Sequence, residues 1–213
     1  MAEIAIVGAG DLGRQIFDLL QDKVKSQRIH FFDDFKEVGP NGKKVSGSVD
    51  DCLASLKSGE LTGVVFAIGY EHLHRKIELL GQFVGFSMPN VLHHSVVLSA
   101  SAVLEGGVVL YPGVILDERC KIGRGAVLNL GSIVAHDSRI GQGCFLAPGV
   151  VVAGNVSVGD GCYLSTGCKL GSGVILGSGW TVAAGAVVLE SFCENPKNGE
   201  FLAGIPAKVK VRK

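Results

Sequence analysis

The 213 residues are 47% hydrophobic and 19% charged, with 31 glycines and only 7% aromatics, a balance that suits many turns and small interior side chains better than a helix bundle. Twenty basic residues cancel twenty acidic ones, so no net field recommends a nucleic acid or an anionic membrane as partner. No run approaches the ~18 apolar residues of a membrane-spanning helix, and the start "MAEIAIVGAG" lacks the basic-then-apolar order of a secretory signal; the expected location is the cytoplasm.

The first elements lie in "IAIVGAGDLGRQIFDLL". A buried strand runs into a G-x-G-x-x-G loop (Gly8, Gly10, Gly13), and helical spacing continues through Ile16, Leu19 and Leu20. The next apolar run, "IHFFDD", ends in Asp33 and Asp34 about twenty residues past the loop, and a further strand is expected at "GVVFAIG". Backbone N–H groups of such a loop can hold a phosphate at a helix N-terminus, and an acid after the second strand can reach a ribose or a base. Only about 85 residues precede the next pattern. That is room for one mononucleotide-binding half, whereas a dinucleotide spans two. Residues 1–85 are therefore expected to bind one nucleotide, and 86–213 to form a second domain. The bland alternative is a packing domain whose glycines only tighten a turn.

From Leu98 to Val188, sixteen successive positions six apart are all Leu, Ile or Val. Four places after each stands a second uncharged, mostly small column that includes Cys120, Cys144, Cys162 and Cys168. A fixed short period of this kind predicts short parallel strands stacked as a β-solenoid. The residue after each large apolar one is often Gly or Ala, as in Gly123, Gly141 and Ala135, which is expected if a corner turns there. The cysteines in the small column read as buried thiols. With no C-x-x-C pair and no paired histidines of zinc-site spacing, no metal site is expected.

His136, in "SIVAHDSRIG", is the one histidine between Ser95 and Lys213. It stands two places after Val134, in a column with Gln142, Gly154, Asp160, Thr166 and Ser172, so its ring should point out of the coil. An imidazole with a pKa near ~6.5 can take a proton at cellular pH. Gly154, eighteen residues on, should lie one coil away on the same edge.

The motifs "VGAGDLG", "FFDDF", "FAIG" followed by "HRK", "LNLGSIVAHDSRIG", "VAGNV" and "FLAGIPAKV" make the chain resemble the bacterial nucleotide-sugar N-acetyltransferases, such as those of bacillosamine and perosamine biosynthesis and the related sialic-acid group. The resemblance implies an α/β half-Rossmann domain followed by a left-handed parallel β-helix. It also implies a homotrimer with active sites between subunits and acetyl-CoA as co-substrate in a groove between neighbouring helices. The reaction implied is direct acetyl transfer to the amine of a nucleotide-linked 4-amino-4,6-dideoxysugar, for a surface glycan or glycoprotein. By the same resemblance His136 is the general base and Asp137 its support. Gly8, Gly10, Asp11, Gly13, Asp33, Asp34, Lys36, Gly69, Arg75 and Asn129 fall to the nucleotide-sugar. Phe145, Gly154, Thr166, Ala184 and Lys208 fall to acetyl-CoA, with Gly154 as oxyanion donor. Phe145 and Ala184 stand where some members carry a histidine and a glycine, and Asp11 and Leu12 depart from the usual phosphate loop. Rival readings are a sugar O-acetyltransferase on the same scaffold, a non-catalytic trimeric nucleotide-sugar-binding protein, and a nicotinamide-dependent dehydrogenase.

Overall fold

The computed structural model describes residues 3–21 and 28–212. Strand β1 (Ile4–Val7) is central to a three-stranded parallel sheet of order β2-β1-β3, with β2 spanning Ile29–Phe32 and β3 Gly63–Phe66. All four residues of β1 and of β3 are buried, as a sheet covered on both faces requires. Helix α1 (Asp11–Gln21) buries Gly13, Ile16, Phe17 and Leu20. Helix α2 (Val49–Ser58) begins with a reciprocal Ser48–Asp51 capping box and ends at Gly59 in the left-handed conformation. Helix α3 (Leu73–Gln82) leads to the solenoid.

Seventeen two-residue strands, β4 (Val91–Leu92) to β20 (Val187–Val188), form about six coils of a left-handed β-helix. Every third strand pairs in parallel, for example Val127 with Phe145 and Ile133 with Val151. The coil is thus eighteen residues long and has three flat faces. The first face carries β4, β7, β10, β13, β16 and β19 and is extended by the hairpin β21 (Glu200–Gly204) and β22 (Ala207–Val211). The second starts at β5 (Val97–Leu98) and the third at β6 (Val103–Leu104). The two expected columns fill the interior, with Leu110, Leu116, Ile122, Leu128 and Val134 alternating with Val108, Val114, Cys120 and Ala126. Cys120, Cys144, Cys162 and Cys168 are buried free thiols, and burial pushes the Cys168 thiol up to about 12. Two polar members of the small column keep partners: Ser132 Oγ donates to the Asn129 carbonyl at 2.8 Å, and Ser138 Oγ donates to the Ala153 carbonyl at 2.7 Å.

The corners follow directly on the large apolar residues, as expected, and their left-handed turn comes slightly later. From Leu104 to Val182 the left-handed residue is the third after each large apolar one, as in Gly113, Gly131, Gly149 and Gly167. Glycine one place after is forced only at the corner following the third face. There a Cβ on Gly123 or Gly141 would sit 2.5 Å from backbone of the next coil.

The N-terminal unit packs on the first face. Val109, Tyr111, Val127 and Phe145 share one apolar cluster with Ile16, Phe17 and Leu73, and the Tyr111 hydroxyl donates to Gln15 Oε1 at 2.9 Å. Helix α3 lies along a row of corner glycines: a Cβ on Gly143 would be 2.5 Å from Ile77 Cδ1. Lys76 on this helix is wholly buried, and its Nζ has no hydrogen-bond partner among the described residues.

Candidate functional site

Beyond the C-terminal ends of β1–β3, where ligands settle in open parallel sheets, lies a cleft of about 960 Å³. Its lining includes Gly8, Gly10, Asp11, Asp33, Asp34, Lys36, Gly69, Arg75 and Asn129. Gly8 has φ +110 and its Cβ would meet the Ala67 carbonyl oxygen at 2.5 Å, so the loop turns only with glycine there. Gly13 is absent from the lining; a Cβ on it would collide with the Gly8 carbonyl oxygen, and its part is to let α1 approach the loop. Lys36 Nζ is 3.7 Å from a Cβ built on Gly10. Its ammonium and the N-terminus of α1 therefore converge where a phosphate would be held.

The two acids divide their work. Asp33 Oδ2 accepts from the Ala9 N–H at 2.8 Å, while Oδ1 accepts from Phe35 and Lys36 N–H at 2.9 and 3.1 Å. Its carboxylate thus ties the glycine loop to the 33–36 turn. Asp34, in the cleft lining, accepts from Val49 N–H through Oδ1 at 2.9 Å, and its Oδ2 has no hydrogen-bond partner among the described residues. Two groups the sequence reading did not single out also shape this cleft. Phe35 is 96% exposed at the rim, and Tyr70 stacks on Tyr163 with centroids 4.4 Å apart.

His136 stands on the corner after the second face, exposed and directed outward. Its Nδ1 is 2.9 Å from Asp137 Oδ2. Arg119, one coil earlier on the same corner, donates to both oxygens of Asp137, Nε to Oδ1 at 2.7 Å and Nη2 to Oδ2 at 2.9 Å. The guanidinium, and then the imidazole, hold the Asp137 carboxyl well below the usual carboxylate range. An ionised carboxylate only accepts, so Nδ1 carries a hydrogen, and in the neutral ring the lone pair falls to Nε2. The ring lies over Gly154, where a built Cβ would be 2.6 Å from Nε2. Below the corner, Ser138 Oγ accepts from the Val156 N–H at 3.0 Å, tying the histidine's coil to the next. The Gly154 N–H donates no hydrogen bond among the described residues, whereas its neighbour Asn155 donates to the His136 carbonyl at 3.0 Å.

Within one chain the expected residues fall into separate groups. Asn129 lines the nucleotide cleft, at the corner after the first face, and strand β11 (Ile133–Val134) separates it from His136. Thr166 and Ala184 are exposed at that first corner, on later coils. Phe145, expected in the cofactor groove, is buried instead in the cleft floor, its ring 5.9 Å from Tyr70 and 6.0 Å from Tyr163. It sits on the face that docks the N-terminal unit. Lys208 forms an ion pair with Glu190, which shares the His136 corner three coils on. Among the described residues no cluster of His, Cys, Asp and Glu could hold a metal ion, and no helix is long and apolar enough to cross a membrane.

The PglD N-terminal domain family matches residues 3–78, and the bacterial transferase hexapeptide (six repeats) family matches residues 137–172. PerB of Caulobacter crescentus, solved with CoA and GDP-perosamine, is 31% identical, with 99% of this chain and 98% of that chain covered and a TM-score of 0.84. The chain belongs to the sugar N-acetyltransferases of the hexapeptide-repeat family. The acetyltransferase domain of PglB from Neisseria gonorrhoeae, solved with acetyl coenzyme A, is another similar structure of this family type. It is 28% identical over 98% of this chain and 99% of that one, with a TM-score of 0.83. WeeI from Acinetobacter baumannii is 26% identical over 99% of this chain and 100% of that one, with a TM-score of 0.73. A comparison with curated protein sequences returns no match. As a hexapeptide-repeat sugar N-acetyltransferase, the protein uses acetyl-CoA as co-substrate.

Proposed function

We propose that the protein transfers acetyl from acetyl-CoA to the amine of a nucleotide-linked 4-amino-4,6-dideoxysugar, with His136 as general base. The observation that carries this reading is the His136 ring, fixed by an ionised Asp137 at Nδ1 while Nε2 faces outward above Gly154. In the reaction, the sugar amine attacks the thioester carbonyl carbon, forming the C–N bond and placing the carbonyl electron pair on oxygen. Nε2 takes the amine proton, and the free Gly154 N–H stabilises the oxyanion. Collapse breaks the C–S bond, and the proton passes from His136 to the departing sulfur as CoA-SH leaves.

Residues 1–85 hold the nucleotide, its diphosphate on the Gly8–Gly13 loop near Lys36 and Arg75, and its base or ribose near Asp34. The separation of Asn129, Thr166 and Ala184 from His136 within one chain supports an active site completed between copies. In that arrangement the first corner of one protomer lies beside the His136 corner of its partner, in a homotrimer. Acetyl-CoA runs along the resulting groove. At about 4.8 Å per coil, the Lys208–Glu190 pair lies roughly 14 Å along the axis from the histidine, a separation that supports a role for Lys208 at the cofactor's phosphate end. GDP-perosamine, which PerB binds, makes GDP-linked 4-aminosugars the first acceptors to try, in the assembly of a surface glycan or glycoprotein.

The test is CoA-SH release from acetyl-CoA with UDP-, GDP- and dTDP-linked 4-amino-4,6-dideoxysugars, on wild type and His136→Ala. Turnover with one acceptor is expected, falling about 10²–10⁴-fold in the variant while both substrates still bind. Transfer only to hydroxyl acceptors, or full activity in His136→Ala, would overturn the reading.

A further inference from the structure

Of the corner residues in left-handed conformation along the solenoid, only Arg119, Asp137 and Asn155 are not glycine, with φ of 55, 59 and 60. They stack one above another on three successive coils, at the one corner that bears His136. Asp and Asn tolerate this conformation; an arginine does so rarely, and strain held in this way clusters at functional positions. Other members of this turn column, such as Gly113 and Gly131, adopt the same turn without that cost.

The Arg119 side chain repays the strain with a bidentate fork on Asp137. Asp137 Oδ2 is shared between Arg119 Nη2 at 2.9 Å and His136 Nδ1 at 2.9 Å. A lone aspartate after a corner could swing between rotamers; with both oxygens clamped in the guanidinium plane, one oxygen remains aimed at Nδ1. Glu118 Oε2 holds Arg119 Nη1 from the other side at 3.2 Å, and the Arg119 N–H donates to Ser101 Oγ at 3.0 Å. A chain of fixed contacts thus runs from Ser101 and Glu118 through Arg119 and Asp137 to the imidazole.

We infer that Arg119 is a positioning residue of the acetyl transfer: it clamps Asp137 so that His136 keeps one tautomer and one orientation, and it offsets the negative charge behind the ring. This rests on the reading of His136 as the base. The charged groups at this corner are Asp117, Glu118 and Arg119 on the coil before and Asp137 on the histidine's own coil, with Lys121 and Arg139 exposed on the third-face strands just beyond it; the coil after contributes Ala153, Gly154 and Asn155, all uncharged. At the corner itself Arg119 is the one cation among three carboxylates. Without it the imidazolium is better stabilised, so the base is lost to protonation at higher pH.

The experiment compares wild type, Arg119→Gly, Arg119→Lys and His136→Ala by pH profiles of kcat and by thermal melting. Glycine suits the left-handed turn, so Arg119→Gly separates the side chain's role from that of the fold. Arg119→Gly is expected to melt no lower than wild type yet lose about 10- to 100-fold in kcat. Its acid limb should move upward by a few tenths to about one pH unit. Arg119→Lys should recover part of the charge effect and little of the clamping. Wild-type kcat and an unmoved acid limb in Arg119→Gly, with His136→Ala inactive, would overturn the inference and leave the base intact. An active His136→Ala would remove the base reading and this inference with it. A kcat loss that follows only a lowered melting temperature, with the acid limb unmoved, would make Arg119 structural and likewise overturn it.

Discussion

Nε2 of His136 lies 2.6 Å from the point that a Cβ on residue 154 would occupy, and Cε1 lies 2.7 Å from it. The backbone of Gly154 is not in the left-handed region, so alanine is tolerated by the turn but not by the ring above it. Gly154→Ala is expected to fold with wild-type stability and to lose about tenfold to 100-fold in kcat as the imidazole is pushed aside. Steady-state kinetics beside a thermal melt checks this; unchanged kcat would mean that the ring position over Gly154 is not the working one.

Asp33 supplies both oxygens to three backbone N–H groups of the nucleotide cleft. Asp33→Ala leaves these donors without their acceptor, at a cost of about 1–3 kcal/mol of stability. The same change frees the glycine loop from the 33–36 turn. Nucleotide-sugar affinity, read by calorimetry, is expected to fall at least about tenfold, while acetyl-CoA binding stays as in wild type.

Tyr70 packs between the domains, stacked on Tyr163 at 4.4 Å and edge-on to Phe145 at 5.9 Å. Removing its ring in Tyr70→Ala forfeits aromatic contacts of roughly 1 kcal/mol and opens one wall of the cleft. The expected signature is a KM for the sugar substrate raised about fivefold with kcat little changed, because the ring touches neither His136 nor Asp137.

Lys76 is a buried cation with no partner among the described residues, and burial pulls its pKa down from 10.5 to about 8. Below pH 8 both folded and unfolded chains carry the proton, and the folded state bears the full burial penalty. Between about pH 8 and 10.5 the unfolded chain binds more protons than the folded one, so this residue makes stability rise with pH. Lys76→Met fills the same space without a charge. It should be more stable at neutral pH, by on the order of 3 kcal/mol, and the advantage should shrink toward pH 10. Buried thiols such as Cys52, pushed up to about 12, act in the opposite sense at high pH; they are common to both proteins and cancel in the difference. Denaturant melts of the pair at pH 7 and 9.5 test it.

The solenoid was legible because its period is short and every position from Leu98 to Val188 in steps of six is Leu, Ile or Val. The strand, glycine loop and helix at the N-terminus were legible for a similar reason: two of the three loop glycines answer a close contact, Gly8 with Ala67 and Gly13 with Gly8. The small residue after the large one marks only the start of each turn. Gly or Ala one place after the large residue is conspicuous by eye, yet the left-handed backbone falls two places later, in a column that also admits Arg119, Asp137 and Asn155. Arg119 escaped notice because it is one arginine among exposed polar residues. Its signal was an eighteen-residue offset from Asp137 in a column otherwise filled mostly by glycine. Phe145 was grouped with Thr166 and Ala184 by the resemblance, and sequence spacing alone does not say which face carries the N-terminal unit.

The eighteen-residue coil makes this scaffold a ruler with integer marks. Removing or adding one whole coil shifts everything beyond it along the axis by about 4.8 Å and keeps each corner above its counterpart. Removing six residues instead turns the rest of the stack by a third of a revolution, which would carry the Glu190–Lys208 pair off the His136 corner. Length variation in such a chain is therefore tolerated in steps of three hexads, and the span from the histidine to the terminal hairpin can change only by jumps, never by a continuous drift.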